Sequence, residues 1–95
     1  LKLASGVCNV PLLLSKGVNV AIGTDSVASN NSLNMIEEMK VFAIANKGKQ
    51  YDPTLITPAE TLRAATFAGA KGQGRDDCGK LAVGFKADLI VLDLL

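Results

Sequence analysis

Ninety-five residues leave room for one small domain, which buries a smaller share of its surface than a typical domain of about 100–150 residues. The composition is 48% hydrophobic and 20% charged, which excludes a disordered chain, and 4% aromatic content with no Trp points to packing by Ala, Leu and Val. A net charge of +1 offers no basic field for nucleic acid, and no run approaches the roughly 18 apolar residues of a membrane span.

The chain opens with Leu1 to Gly6, which has neither helical nor strand period and reads as a loop. Asn9 can cap a short helix over Val10–Lys16, with Pro11 in the first turn, where its missing N–H is harmless, and Gly17 at the end. Val10, Leu13 and Leu14 share one face of it. Val18 to Gly23 is then a short apolar run with β-branched members, as in a parallel strand buried on both faces. That places Asp25 just past a strand's carboxyl end, where α/β proteins collect ligands and catalytic groups. Taken on position alone, an Asp here is more commonly turn or cap chemistry. Ser26 to Asn31 follows as a polar loop of short side chains.

Asn34 with Glu37 three residues on has the form of a capping box, and Ile36, Met39, Phe42 and Ala43 repeat at helical spacing. A helix over Leu33–Asn46, closed by Lys47-Gly48, is expected, with Met35 and Met39 filling core gaps rather than forming a binding surface. Tyr51-Asp52-Pro53 marks a turn in the connection from Lys47 to Ile56. Thr57-Pro58-Ala59-Glu60 is the strongest helix start in the chain: Thr caps, Pro is preset for the first position, and Glu reaches back. This helix is expected to run to Ala70, and Lys71–Gly79 to be a loop. Its Gly72-x-Gly74 follows a helix rather than a strand and lacks the context of a phosphate cradle. Leu81–Val83 and Ala87–Leu92, separated by Gly84-Phe85-Lys86, read as a β-hairpin whose second strand is covered on both faces.

Chemistry is limited by what is missing. There is no histidine, hence no Ser/His or Cys/His nucleophile pair and none of the commonest metal ligand. A zinc or iron site takes about three or four protein ligands, more than these residues can gather around Asp25, so the chain by itself is expected to be catalytically inert. Cys8 and Cys78 form no C-x-x-C pair and read as reduced thiols of a soluble, cytoplasmic protein. No basic-then-apolar leader is present. A start at Leu1 and a stop at Leu94-Leu95, directly after a strand-like run, suggest a piece of a longer polypeptide.

Three patterns together resemble the amidohydrolase superfamily, most closely its branch of methylthioadenosine and S-adenosylhomocysteine deaminases and related chlorohydrolases. Leu1-Lys2-Leu3-Ala4-Ser5-Gly6 resembles the tail of the loop after a metal-proximal histidine. Val18 to Asn31 with Leu33-x-Met35-x-x-Glu38-Met39 resembles the eighth barrel strand and its loop. Gly79-x-Leu81-x-x-Gly84-x-x-Ala87-Asp88-Leu89-Ile90-Val91-Leu92-Asp93 resembles the return to a small β-domain.

The resemblance implies an α/β fold: residues 1–78 as the last units of a (β/α)8 barrel and 79–95 as the terminal hairpin of an appended β-sandwich. Asp25 would be the metal-ligating and catalytic aspartate, which also holds the attacking water and carries its proton toward the leaving group. Ser29 and Asn30 would shape the substrate loop beside it. The implied cofactor is a divalent metal, zinc or iron, with its other ligands outside this chain. The implied reaction is hydrolytic deamination of an aminopurine nucleoside such as methylthioadenosine or S-adenosylhomocysteine, or the related dechlorination. Departures from the pattern are Ser26, where the family often has Gly, and Gly72-Gln73-Gly74-Arg75, where a helix usually continues. The family's histidines and catalytic glutamate would lie before Leu1. The competing reading is a non-catalytic structural piece. One or two strands cannot close a barrel, so either self-association or a rearranged, compact, helix-dominated fold is expected of the chain alone.

Overall fold

The computed structural model describes residues 2–94. Its regular structure is helical: α1 Val10–Ser15, α2 Val27–Asn30, α3 Met35–Gln50, α4 Pro58–Ala65 and α5 Phe67–Gly72. No strand occurs among the described residues, which corrects the expected strand at Val18–Gly23 and the hairpin at 81–92. A strand exists only with a ladder partner, and neither run meets one. Val18–Gly23 instead docks on helix carbonyls: the Ile22 amide donates to Ala64 O at 3.1 Å and Asn19 Nδ2 to Ala68 O at 2.8 Å. In the second region only the turn forms, closed by Phe85 N to Ala82 O at 3.1 Å, with Gly84 at φ +83°.

The caps sit where local chemistry puts them. Asn9 Oδ1 accepts from Leu12 N, opening α1. Asn34 Oδ1 accepts from Ile36 N and Glu37 N, but the Glu37 carboxylate turns to Ser32 Oγ (3.1 Å), so only half of the expected box is made. At α4 the box is complete: Glu60 N donates to Thr57 Oγ1 and Thr57 N to Glu60 Oε2 at 2.7 Å. The helix expected to continue to Ala70 breaks at Thr66, whose hydroxyl bonds back to Leu62 O at 2.7 Å and whose backbone leaves the helical region at φ −130°, ψ −89°. The broken end is rebuilt as α5.

α3 outruns its expected end by four residues, because Gly48 costs only about 1 kcal/mol in a helix interior and Lys49 and Gln50 are good helix formers. It closes at Tyr51, φ +54°, where Tyr51 N donates to Gly48 O and Asp52 N to Lys47 O, the two bonds of a Schellman motif. The left-handed residue there is ordinarily glycine, and Tyr51 is 95% exposed, so its ring packs on little. Tyr51→Gly is expected to stabilise the chain by about 0.5–1 kcal/mol, read as a higher urea midpoint. Just beyond, the Thr54 hydroxyl and amide both donate to Asp52 Oδ1, which holds that carboxyl below its ordinary value.

The core is small: Val10, Ile56, Ala64, Ala68 and Cys78, joined by the buried polar residues Asn46 and Thr61. Met35 and Met39 are half-buried. Asn46 ties α3 to α1, its Nδ2 donating to Phe42 O at 3.0 Å and its Oδ1 accepting from Val10 N at 3.2 Å. Truncating it removes both bonds and opens a buried hole, so Asn46→Ala is expected to cost about 1–3 kcal/mol, measurable by urea unfolding.

The segment after α5 folds back over it. Gly79, at φ +92°, lies so close that a Cβ placed there would stand 2.9 Å from Ala70 Cβ and 2.9 Å from Phe67 Cα. The Lys80 ammonium sits 5.0 Å from the ring centroids of both Phe67 and Phe85. Lys86 N donates to Asp77 O at 2.7 Å. Beyond it Ile90, Val91 and Leu94 stay largely exposed.

The surface is accordingly large. At 7037 Å², it exceeds by about a third the roughly 5,200 Å² typical of a folded monomer of 9.9 kDa. The radius of gyration of 14.3 Å likewise exceeds the ~12 Å of a compact domain of this length. The chain is thus helix-dominated, as expected of it alone, but not compact.

Candidate active site

Between the Val20–Asp25 run, α2 and the inner face of α3 lies an open groove of about 550 Å³. Its apolar lining includes Val20, Ile22, Val41 and Phe42, and its polar lining includes Lys2, Asp25, Ser29, Asn30, Glu38 and Asn46. A more open depression of about 900 Å³ lies between α5 and residues 78–90, but its lining pairs apolar side chains with charges scattered along a loop, whereas in the first groove Asp25, Ser29 and Asn30 come from one turn. The three side chains expected at a site, Asp25, Ser29 and Asn30, therefore share one wall system.

The turn that carries Asp25 is built by short polar side chains. Asp25 has φ +59°, a left-handed conformation that Asp tolerates better than most residues because its short carboxylate can bond locally. It does so: Oδ1 accepts from Ser26 N at 2.7 Å. No hydrogen bond from the described residues reaches Oδ2, and the residue is exposed and lines the groove. Ser26, expected only as loop, is the cap of α2, its Oγ accepting from Ser29 N at 3.3 Å and lying 3.3 Å from Ser29 Oγ. The expected loop over 26–31 is thus a single helical turn, ended by Asn31 at φ +65°. Lys2 fastens the far end of that turn, its Nζ donating to Ala28 O at 2.9 Å and to Asn31 Oδ1 at 2.6 Å.

Asn30 uses both amide hydrogens. One goes to Thr24 O at 2.8 Å and the other to Glu38 Oε2 at 2.6 Å. Glu38 and Lys2 are the two groups of this site to which residue patterns assigned no role. Both stand inside the quoted family patterns, Lys2 in Leu1–Gly6 and Glu38 in Leu33–Met39, but neither spacing marks the contact that the side chain makes.

For a divalent cation, Asp25 offers one anionic oxygen with an unengaged lone-pair face, which is what a hard or borderline metal accepts from a carboxylate. No group of three or more His, Cys, Asp or Glu lies together among the described residues, so the fit is that of a single contributed ligand.

The amidohydrolase family model matches residues 1–95, and this chain belongs to that family. Among its relatives, a 5-methylthioadenosine/S-adenosylhomocysteine deaminase of Acetivibrio thermocellus is 50% identical over 95 residues, covering 99% of this chain and 22% of the relative. A 5'-deoxyadenosine deaminase of Methanosarcina barkeri is 48% identical over 94 residues, again 22% of its length. The chain therefore spans about a fifth of the length of the curated relatives it matches. A crystal structure of an adenosine deaminase from Xanthomonas campestris with bound zinc superposes with TM-score 0.88 at 48% identity, over 92% of this chain and 20% of that one. No helix among the described residues is long and apolar enough to cross a membrane.

Proposed function

We propose that this chain supplies the Asp25 turn of a metal-dependent hydrolase that releases ammonia from an aminopurine nucleoside of the methylthioadenosine, S-adenosylhomocysteine or deoxyadenosine type. The observation that carries the reading is the Asp25 carboxylate, held left-handed at an apolar groove with one oxygen engaged by Ser26 N and the other open. The near-half identity to deaminases along the whole chain supports the substrate class. In the complete enzyme residues 1–78 belong to the closing units of a (β/α)8 barrel and 79–95 to the end of a β-sandwich, where the unpaired runs at 18–23 and 87–92 find their ladder partners. The enzyme works in the cytoplasm on a small molecule, with no role for nucleic acid or membrane.

Asp25 would hold the divalent metal, zinc or iron, together with ligands from outside these residues. When bound, that metal supplies Lewis acidity, lowering the pKa of water so that hydroxide is available near neutral pH. The Asp25 carboxylate accepts the proton of the attacking water and returns it to the departing amine, which leaves as ammonia. Ser29, Val41 and Phe42 line the same groove as that carboxylate and would bound the space a substrate occupies beside it.

The test is ammonia release from 5'-methylthioadenosine, S-adenosylhomocysteine and 5'-deoxyadenosine by the full-length protein, with its metal content measured in parallel. Turnover of at least one nucleoside with bound zinc or iron is expected, and inertness of a metal-loaded protein toward all three would overturn the reading. The 95-residue chain alone is expected to release no ammonia and to retain no metal after dialysis, since it contributes one ligand.

A further inference from the structure

We infer that Glu38 is a positioning residue for Asp25, acting through the side chain of Asn30; the inference rests on the deaminase reading above and names a new part of the same site. Asp25 stands in a left-handed conformation, which the chain leaves readily unless the flanking peptide is held. The peptide before it is held at its carbonyl: Thr24 O accepts from Asn30 Nδ2 at 2.8 Å. That amide group is itself fixed by its second hydrogen, donated to Glu38 Oε2 at 2.6 Å. Glu38 stands on the first turn of the 16-residue helix α3, and both Asn30 and Glu38 are half-buried, so the anchor is rigid and partly shielded from competing water.

The geometry forms a chain of three links from a rigid helix to the reactive turn. A carboxylate acceptor strengthens its bond to the amide roughly twofold over a neutral acceptor and polarises the other N–H toward Thr24 O. Removing Glu38 frees the Asn30 amide to rotate and lets the Thr24–Asp25 peptide flip, displacing a carboxylate whose placement must hold to within about 1 Å. Glu38 touches no reacting atom in this scheme. Its effect is on where Asp25 stands, hence on kcat more than on KM.

Two variants of the full-length protein, Glu38→Ala and Glu38→Gln, test this by two independent readouts. The first is hydrogen exchange of the peptide covering residues 24–31, followed by mass spectrometry; the second is kcat and KM for the best nucleoside. Glu38→Ala is expected to speed exchange of that peptide about tenfold and to lower kcat about 10–100-fold with KM within about threefold of wild type. Glu38→Gln keeps an oxygen that accepts from Asn30 and is expected within about threefold of wild type in both readouts, a rescue that general loss of folding would not give.

Unchanged exchange in Glu38→Ala, or faster exchange with unchanged kcat, overturns the inference. So does a Glu38→Gln variant as impaired as Glu38→Ala. If the wild-type protein turns over no purine nucleoside, the deaminase reading fails, and the exchange data alone then decide whether Glu38 clamps the turn.

Discussion

Asp25→Asn in the full-length protein is expected to lower kcat by about 10²–10⁴-fold while leaving the fold intact. The expectation rests on what the substitution keeps and what it removes. Asn is the same size, tolerates the left-handed backbone at φ +59°, and its Oδ1 can still accept from Ser26 N. The turn therefore survives. What goes is the negative charge, and with it a strong metal ligand and the group that accepts a proton from water. Metal content should fall alongside kcat, whereas the metal-free variant and the metal-free wild type should unfold within about 0.5 kcal/mol of each other, because Asn keeps the size of the side chain and its bond to Ser26 N. Steady-state kinetics, metal analysis and denaturant unfolding on the same preparation separate these outcomes. Wild-type turnover in Asp25→Asn would move the acid–base chemistry to another residue.

Gly79→Ala is expected to be the most damaging single-carbon change to stability, about 2–4 kcal/mol, read as a fall in urea midpoint or Tm. Two independent costs meet there. The backbone at φ +92° is strained for any residue with a Cβ, by about 1–2 kcal/mol. The added methyl would also stand 2.9 Å from Ala70 Cβ and from the Phe67 backbone, and a backbone atom cannot rotate aside as a side chain could. Relief requires the 78–86 segment to lift from α5, which would part Lys80 from the Phe67 ring. By contrast Gly23→Ala meets nothing within 4 Å and is expected to be nearly silent, a useful control.

Local chemistry was legible where one or two side chains decide the outcome. Asn9, Asn34 and Thr57 cap helices because a short side-chain oxygen reaches amides two or three residues on, whatever the rest of the molecule does. What local pattern missed depends on partners. Val18–Gly23 has every strand signal, yet pairing needs a second strand, and the run bonds to Ala64 and Ala68 carbonyls instead. Gly48 reads as a stop, but α3 passes through it and ends on Tyr51. Thr66 sits in a run of helix formers, and its non-helical backbone at φ −130°, ψ −89°, with its hydroxyl bonded to Leu62 O, is what divides the run into two helices.

The site divides the same way. Asp25, Ser29 and Asn30 lie within six residues, so one turn brings them to one groove; the apolar run before it drew notice to Asp25, and family likeness to Ser29 and Asn30. Glu38 and Lys2 reach the site across 8 and 29 residues respectively, to Asn30 and Asn31, and such pairings follow from the packing of α3 and the first residues rather than from any spacing. The barrel and sandwich assignments drew on family likeness, which concerns a protein about five times longer than the helical unit seen here.

The excess of exposed surface has a consequence for any unfolding experiment on the 95-residue chain. Denaturant sensitivity scales with the area newly wetted on unfolding. A chain already showing water about a third more surface than a self-sufficient molecule of its mass has less left to reveal. Its urea transition should be shallow and spread over several molar. Small stability differences such as that of Tyr51→Gly are therefore read from the midpoint of a broad transition, and need closely spaced urea concentrations to resolve.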